Sequence, residues 1–149
     1  MKLSTKGRYG LRAMLDLAIN SVDEHVSLNS IAERQSISEN YLEQVFSILR
    51  KAGLVKSVKG AQGGYVLADS PSKIKIGTVL RAMEGSLSII DADTDERSLK
   101  QNGVEYCIKA KVWDKINQSI DNVVDSITLE DMVNEYNCMN DSLSLMYYI

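Results

Sequence analysis

Apolar side chains recur every three or four residues through the first third of the chain, which is the pattern of amphipathic helices. This spacing predicts a helix from Thr5 to about Ser21, a short helix after Ser27 and another after Ser38. Serine or threonine stands at each start, as expected of a residue that caps a helix N-terminus. The predicted inward positions are Leu11, Met14, Leu15, Ala18 and Val22 in the first helix, Leu28, Ile31 and Ala32 in the second, and Leu42, Val45, Phe46 and Leu49 in the third.

The second and third helices are joined by a short turn, Gln35 to Ser38, and this arrangement predicts a helix-turn-helix. Ser36 stands where such a turn often contains glycine. After Gly53 ends the third helix, two β-prone runs over residues 54–67 predict a hairpin. Its tip, residues 59–63, is glycine-rich and basic, as expected of the wing of a winged helix-turn-helix.

The later part of the chain predicts one more helix of this domain, a loop and a long helix. Apolar residues predict a fourth helix that ends at Gly85, and residues 86–105 are polar and acidic. From residue 113, apolar positions step by three, four, three and four, the spacing of a coiled-coil seam. The seam consists of Trp113, Ile116, Ile120, Val123 and Ile127. It either packs on its own domain or pairs with a second copy, and pairing is favoured because reading two DNA half-sites requires a dimer.

These elements predict a mainly α-helical fold with a small β-wing. We expect a winged helix-turn-helix DNA-binding domain over residues 1–85 and an acidic flexible loop over 86–105. Residues 106–149 are expected to form the dimerisation helix and a C-terminal tail that packs back on the core, including a helix capped by Thr128. The first four helices are expected to close a small core without the dimerisation helix.

Charge is distributed unevenly along the chain, although the net charge is only −3. Residues 1–75 contain eleven Lys/Arg and seven Asp/Glu, a net charge of +4, whereas the remainder carries −7. A basic front suits contact with the phosphates of double-stranded DNA. Lys6 and Arg8 lie at the start of the first helix, where the helix dipole does not favour a cation. Phosphate contact would explain them, and a solvated face is the alternative.

The sequence also excludes several classes of protein. No apolar run approaches the roughly 18 residues of a membrane span, and no signal-peptide core is present, so a cytoplasmic protein is expected. Cys107 and Cys138 do not form a disulfide framework. No set of residues suits catalysis, so we expect no enzyme activity and no catalytic residue. His25 and the acidic cluster Asp91, Asp93, Asp95 and Glu96 lack the spacing of metal ligands, so no metal site is expected.

Three segments carry a resemblance to a known family: STKGRYGLRAM at 4–14, ISENYLEQVFSILRKAGLVKSVKGAQGGYVLA at 37–68 and ITLEDM at 127–132. Over nearly its whole length the chain resembles the winged-helix bacterial regulators that include the iron–sulfur regulator IscR, the nitric-oxide sensor NsrR and the cysteine-metabolism repressor CymR. The resemblance implies a sequence-specific DNA-binding repressor. With the basic positions above, the expected DNA-binding residues are Lys6, Arg8, Ser38, Asn40, Tyr41, Glu43, Gln44, Arg50, Lys56, Ser57, Lys59, Gln62, Gly63 and Gly64.

Cluster-binding members of this family use three cysteines and one further ligand near the loop before the long helix. Here only Cys107 matches, and Ala110 stands where a histidine ligand could follow it. One thiolate cannot hold a [2Fe–2S] cluster that needs four ligands, so no cofactor is expected. The chain therefore most resembles the cluster-free cysteine-metabolism branch represented by CymR.

In that branch the signal is relayed by a complex with the cysteine-synthesis enzyme O-acetylserine thiol-lyase, which the resemblance implies as a partner. We hypothesise that the terminal segment Tyr147, Tyr148 and Ile149 docks its carboxylate into the substrate site of that enzyme. Packing of the same residues across the dimer is the alternative. Two other functions stay open: a thiol-based redox sensor that uses Cys107 or Cys138, and an iron–sulfur sensor, which is less favoured. Whether dimers join into a dimer of dimers on DNA is also open.

Overall fold

The computed structural model describes residues 2–90 and 103–147 of the 149-residue chain. It is mainly helical with one two-stranded antiparallel sheet, as predicted. The elements in chain order are α1 (Thr5–Asn20), α2 (Leu28–Gln35), α3 (Glu39–Lys51), β1 (Val55–Val58), β2 (Gly64–Leu67), a 3₁₀ turn (Pro71–Lys73), α4 (Ile76–Glu84), α5 (Val104–Ile108), a π-helical turn (Lys109–Trp113), α6 (Asp114–Ser126) and α7 (Leu129–Tyr147). None of the helices in the described ranges is long and apolar enough to cross a membrane.

Side-chain caps begin four of the helices where the sequence predicted them. The hydroxyls of Ser4, Ser27 and Ser38 each accept a hydrogen bond from the backbone N–H three residues later, at 3.2 Å. At α7, Thr128 Oγ1 accepts from the Asp131 N–H at 3.1 Å, and the Asp131 carboxylate accepts from the Thr128 N–H at 2.9 Å. This reciprocal pair is a capping box, which satisfies two backbone donors that the helix itself leaves unpaired.

The turn between α2 and α3 contains one residue with a left-handed backbone. Ser36 has a φ of 55°, a conformation that non-glycine residues rarely adopt. Ile37 follows it and is buried between the two helices, with 6% of its surface exposed. The helix-turn-helix is therefore formed with serine in the place that glycine often takes.

A buried carboxylate fastens α2 to α1. Asp16 is 3% exposed, and its oxygens accept from Arg34 Nη2 at 2.8 Å, Arg34 Nε at 3.0 Å and Gln35 Nε2 at 2.9 Å. Asn20 Nδ2 adds a longer bond at 3.3 Å. The hydrogen bonds that Arg34 donates to Asp16 raise the pKa of its guanidinium above the usual value. This network fixes the first helix of the helix-turn-helix against the body of the domain.

The described residues form one hydrophobic core. Its fully buried members include Met14, Leu17, Phe46 and Leu49. One predicted core residue is wrong, because Val22 is 79% exposed. It lies beyond the end of α1 at Asn20, so the helical spacing no longer governs its direction.

The C-terminal elements complete this core, which corrects the expectation that the first four helices close it alone. Leu129, the first residue of α7, is fully buried in the same cluster. A short antiparallel bridge ties its neighbourhood to the segment before α4: the Ile76 N–H donates to the Ile127 carbonyl at 2.9 Å, and the Leu129 N–H donates to the Ile74 carbonyl at 2.8 Å. Helix α7 thus begins inside the same core as the first four helices.

The remaining boundaries differ from the sequence-based ones at two places. Both described ends of the expected loop over 86–105 differ from the prediction, because Leu87 is buried and α5 already begins at Val104. The acidic positions 91, 93, 95 and 96 lie outside the described residues. The tail was expected to pack back on the core, but only the start of α7 does so. Farther along, Tyr136, Met139 and Leu143 are 45%, 59% and 52% exposed, because the single chain offers them no apolar surface.

Candidate nucleic-acid interface

Helix α3 presents one polar face to solvent because its opposite face is fixed in the core. Leu42, Val45, Phe46 and Leu49 are at most 1% exposed, as predicted. Asn40, Glu43, Gln44 and Arg50 are all exposed. Residues three and four apart share a face of a helix, so Asn40, Glu43 and Gln44 form one patch. Their amide and carboxylate groups are those that hydrogen-bond base edges in a major groove.

The start of α3 combines a cap with an aromatic contact. The Ser38 hydroxyl accepts the Tyr41 N–H, and its own proton stays available to a phosphate oxygen. Tyr41 is half-buried, and its ring meets the Tyr9 ring edge-on with centroids 5.7 Å apart. The Arg12 guanidinium lies 5.1 Å from the centre of the Tyr9 ring and donates to the Gln35 carbonyl at 2.6 Å. Arg12 therefore supports the helix-turn-helix, and Tyr41 is placed partly by packing.

The wing carries exposed polar side chains on its first strand and at its tip. The register pairs Val55 with Leu67 and Val58 with Gly64, so residues 59–63 form the turn. Lys56, Ser57, Lys59 and Gln62 are exposed. A narrow basic tip of this kind suits the negative potential of a minor groove.

The wing is fastened to the domain through Tyr65. Its ring packs on Phe46 of α3, with centroids 4.7 Å apart. Its backbone exchanges two hydrogen bonds with Val26, at 2.8 and 2.9 Å, which places a third short strand segment beside β2. The wing and α3 therefore hold a fixed relative position.

Gly63 and Gly64 have a packing reason to be glycine, which sequence reasoning missed when it grouped them with the DNA-binding residues. A Cβ on Gly64 would overlap the Val26 carbonyl oxygen, and one on Gly63 would overlap the Val58 carbonyl oxygen. These glycines let the backbone of the wing approach its neighbours closely. Their contact with DNA stays a prediction.

The other predicted phosphate-binding residues lie at the start of α1. Lys6 and Arg8 are exposed there, and Arg8 Nη2 reaches the Thr5 hydroxyl at 3.3 Å. The ring Nε2 of His25, which lies between α1 and α2, contacts the Gln62 carbonyl at the wing tip. Only the fold brings these two residues together, since they are 37 positions apart. A polar cleft of about 510 Å³ lies beside this contact, between α2 and the wing tip.

The predicted seam on α6 is divided between the core and solvent. Ile120 and Ile127 are half-buried and pack on the core, whereas Ile116 and Val123 are 39% and 58% exposed. Trp113 ends the π-helical turn and is half-buried. A groove of about 470 Å³ runs along the exposed side and is lined mainly by apolar surface. Part of the seam thus packs on its own domain, and the rest is open to a second copy.

The available donors do not fit an iron–sulfur cluster. The whole chain has two cysteines and one histidine, fewer than the four ligands that such a cluster needs. Cys107 on α5 and Cys138 on α7 are exposed and free. Within residues 2–90 and 103–147, no group of three or more His, Cys, Asp or Glu side chains is placed to hold a metal ion. Of the predicted tail, the Tyr147 side chain, Tyr148 and Ile149 lie outside the described part of the chain.

Comparison with known proteins adds an independent finding. The model of the Rrf2 family, described as an iron-dependent transcriptional regulator, matches residues 3–135. The HTH-type transcriptional regulator CymR of Bacillus subtilis is 42% identical over 149 residues, which are 100% of both chains. Among solved structures, CymR (YrzC), the global cysteine regulator of B. subtilis, has a TM-score of 0.76 at 43% identity and covers 91% of this chain and 98% of its own. IscR of T. potens has a TM-score of 0.71 at 49% identity, with 91% and 88% covered.

Proposed function

This chain belongs to the Rrf2 family of transcriptional regulators, and from that premise we propose that it is a homodimeric repressor of cysteine or sulfur genes. It would act in the cytoplasm on double-stranded operator DNA and be controlled by a complex with cysteine synthase. Its general role as a DNA-binding regulator follows from the family. The operator, the repression and the partner are the proposed part.

The observation that carries the proposal is the end-to-end likeness to CymR. It covers all of both chains, so it includes α6 and α7 as well as the helix-turn-helix. CymR of B. subtilis is described as a global cysteine regulator. The missing ligands for a cluster support the same branch of the family.

On DNA, α3 would enter the major groove and the wing the adjacent minor groove. The Gln44 amide can bond bidentately to adenine, and the Glu43 carboxylate can accept from the amino group of cytosine. Lys59 would supply positive charge to the narrow groove. Because lysine lacks the planar fork of arginine, it would favour phosphate and shape over any particular base.

A comparison of two alanine variants tests these roles. Gln44→Ala should relax base preference at one position of the operator and weaken specific binding by about 1 to 3 kcal/mol. Lys59→Ala should instead weaken binding evenly across sequences and reduce the salt slope by about one. Binding would be measured by fluorescence anisotropy on the operator and on single-base variants at several salt concentrations. Lys111→Ala, an exposed lysine in the π-helical turn, is the control for loss of charge.

The proposed partner is tested at the C-terminus. Adding one glycine after Ile149 keeps every side chain but displaces the carboxylate. If the carboxylate docks as an amino-acid mimic, this extension should abolish binding to O-acetylserine thiol-lyase, and added O-acetylserine should compete with the unmodified chain. Calorimetric titration would measure both. An unchanged affinity would rule out docking, and a change in sedimentation would favour packing of the tail across the dimer.

A second candidate is a thiol-based redox sensor, favoured by the exposure of both cysteines. Peroxide would oxidise a thiolate to a sulfenic acid and be reduced to water. In a gel-shift assay, peroxide should then release the parent protein from its operator but not the responsible variant, Cys107→Ser or Cys138→Ser. Equal behaviour of the parent and both variants would exclude this mechanism.

A further inference from the structure

One arginine joins the DNA-binding part to helix α6. Arg81 Nη1 and Nη2 donate to the two carboxylate oxygens of Asp125 at 2.8 and 3.0 Å, and Nη2 also donates to Asp121 Oδ1 at 2.8 Å. The two acids are four residues apart, so they occupy one face of α6. A single planar guanidinium on α4 therefore holds two successive turns of α6. These bonds raise the pKa of Arg81 and lower that of Asp125.

The two helices also meet directly beside this arginine. Gly77 lies one turn before Arg81, and a Cβ there would overlap the Asp125 carboxylate and lie 2.9 Å from Val124 Cγ2. Only a residue without a side chain leaves room for the carboxylate at this point. The ion pairs thus lie beside a close contact of α4 and α6, where a small change in the crossing of the helices would break them.

Two other attachments hold α6 along its length. Asn117 Oδ1 accepts the Ile89 N–H at 3.0 Å near the start of α6, and Ile127 bonds to Ile76 at its end. The attached length is about 15 Å at 1.5 Å per residue. On another side of the same helix, Ile116 and Val123 are exposed along the groove described above. Helix α6 therefore contacts the DNA-binding part on one side and exposes part of the seam on another.

Helix α4, in turn, packs on both α1 and α3, and its Val79 and Met83 lie in the core. Helix α3 carries the polar patch of Asn40, Glu43 and Gln44, so α4 stands between that patch and the seam. The orientation of α3 relative to a second copy is then set at the junction of α4 with α6. Arg81 is the cation that pairs with two acids across that junction.

We propose that Arg81 is a positioning residue for DNA recognition: by holding Asp121 and Asp125 it sets the angle between α3 and the dimer seam, and so the half-site spacing that the dimer accepts. This inference rests on the proposed function, in which a dimer reads two half-sites about one DNA turn, or ~34 Å, apart. A planar fork restrains both the rotation and the sliding of α6, whereas a point charge restrains neither strongly. Loss of the fork should therefore widen the tolerated spacing while the contacts with bases are unchanged.

The test compares operators whose half-sites are moved apart or together by one base pair. The measured quantity is the ratio of affinities for the natural and the altered spacing. In Arg81→Gln this ratio should fall about fivefold or more, the lower end of usual coupling energies, and in Arg81→Lys it should fall less. Lys73→Gln loses a charge from another exposed ion pair, with Asp69, and should keep the parent ratio.

A second variant distinguishes the effect of a broken contact between α4 and α6 from the effect of a change in net charge. Asp121→Asn with Asp125→Asn raises the net charge, whereas Arg81→Gln lowers it, so their general affinities for DNA should change in opposite directions. Both should lose spacing discrimination in the same direction. If the ratio instead follows the net charge, or stays at the parent value in both, the positioning role is wrong.

A measurement without DNA keeps the test independent of the proposed function. Spin labels at Ser57→Cys on the wing and Asn122→Cys on α6, with Cys107 and Cys138 replaced by serine, report the distance between the two parts. The labelled chain is diluted with unlabelled protein so that distances within one chain dominate. The distance distribution should broaden in Arg81→Gln and in the double aspartate variant but not in Lys73→Gln. Unchanged widths would overturn the inference even if the protein proved to bind no operator.

Discussion

Replacement of Asp16 by alanine should strongly destabilise the chain, because this side chain is the acceptor of the network that holds α2. The Asp16 side chain is 2% exposed, whereas that of Arg34 is 39% exposed. The change removes both acceptor oxygens from Arg34 and Gln35. It also leaves a small cavity where the carboxylate was.

The expected loss of unfolding free energy depends on whether each donor that loses Asp16 can find another acceptor. Removal of one partner of a fully buried ion pair costs about 3 to 5 kcal/mol. Here the half-exposed Arg34 can turn to water, and Asn20 keeps its bond to the Asp16 carbonyl at 2.9 Å. We therefore expect a loss of about 2 to 4 kcal/mol for Asp16→Ala. Asp16→Asn keeps the size and one acceptor, and should lose about half as much.

Urea unfolding followed by circular dichroism would measure these changes from the transition midpoint and slope. A double-mutant cycle with Arg34→Met isolates the pair and should give a coupling of about 1 to 2 kcal/mol. Lys73→Met, which removes a cation from an exposed ion pair, should change the stability by less than about 1 kcal/mol. A loss below about 1 kcal/mol for Asp16→Ala, or a coupling near zero, would refute the reasoning.

Four further predictions follow from the same structure. Gly64→Ala should cost about 1 to 3 kcal/mol because it displaces the two backbone bonds to Val26, and faster hydrogen exchange of the Val26 and Tyr65 amides would report it. Asp125→Asn should lower the melting temperature at neutral pH but not in strong acid. The Arg81 guanidinium lowers the Asp125 pKa, so the stabilisation from this pair is present above the ordinary Asp pKa of about 3.9. It is lost as the pH falls through the lowered value. Leu129→Ala should cost about 2 to 4 kcal/mol in urea unfolding, since the side chain is fully buried. Val123→Glu should give monomers in sedimentation at concentrations where the parent is dimeric, and an unchanged mass would contradict the role of the seam.

Local periodicity was sufficient to predict the part of the structure that short-range rules govern. The four inward positions of α3 were all correct, because helical spacing alone decides which side chains face the core. The wing followed from two β-prone runs and a glycine-rich turn, which determine the hairpin without help from distant residues. The error at Val22 arose because the helical spacing was continued one position past the predicted end of this helix near Ser21.

Long-range pairs could not be predicted in this way. Asp16 lies on a helix whose neighbouring residues are apolar, and its burial depends on Arg34, 18 residues later. The contact of His25 with Gln62 spans 37 residues, and that of Arg81 with Asp125 spans 44. Such polar side chains look solvent-exposed in the sequence, because the groups that satisfy them belong to other elements. The fold alone shows that they connect α1 with α2, the segment between these two helices with the wing, and α4 with α6.

The boundary expected near residue 85 does not separate two folding units, and this bears on how a partner can act. Leu129 is buried in the core, so a partner that pulled the start of α7 away would have to remove this side chain from the core. That step would cost about as much as losing a buried leucine, about 2 to 4 kcal/mol, before any new contact formed. The exposed half of α7, from Tyr136 to Met146, can be bound without this cost. We therefore expect a regulatory partner to engage that half, and to act on DNA binding through the position or pairing of α6 rather than by unfolding the core.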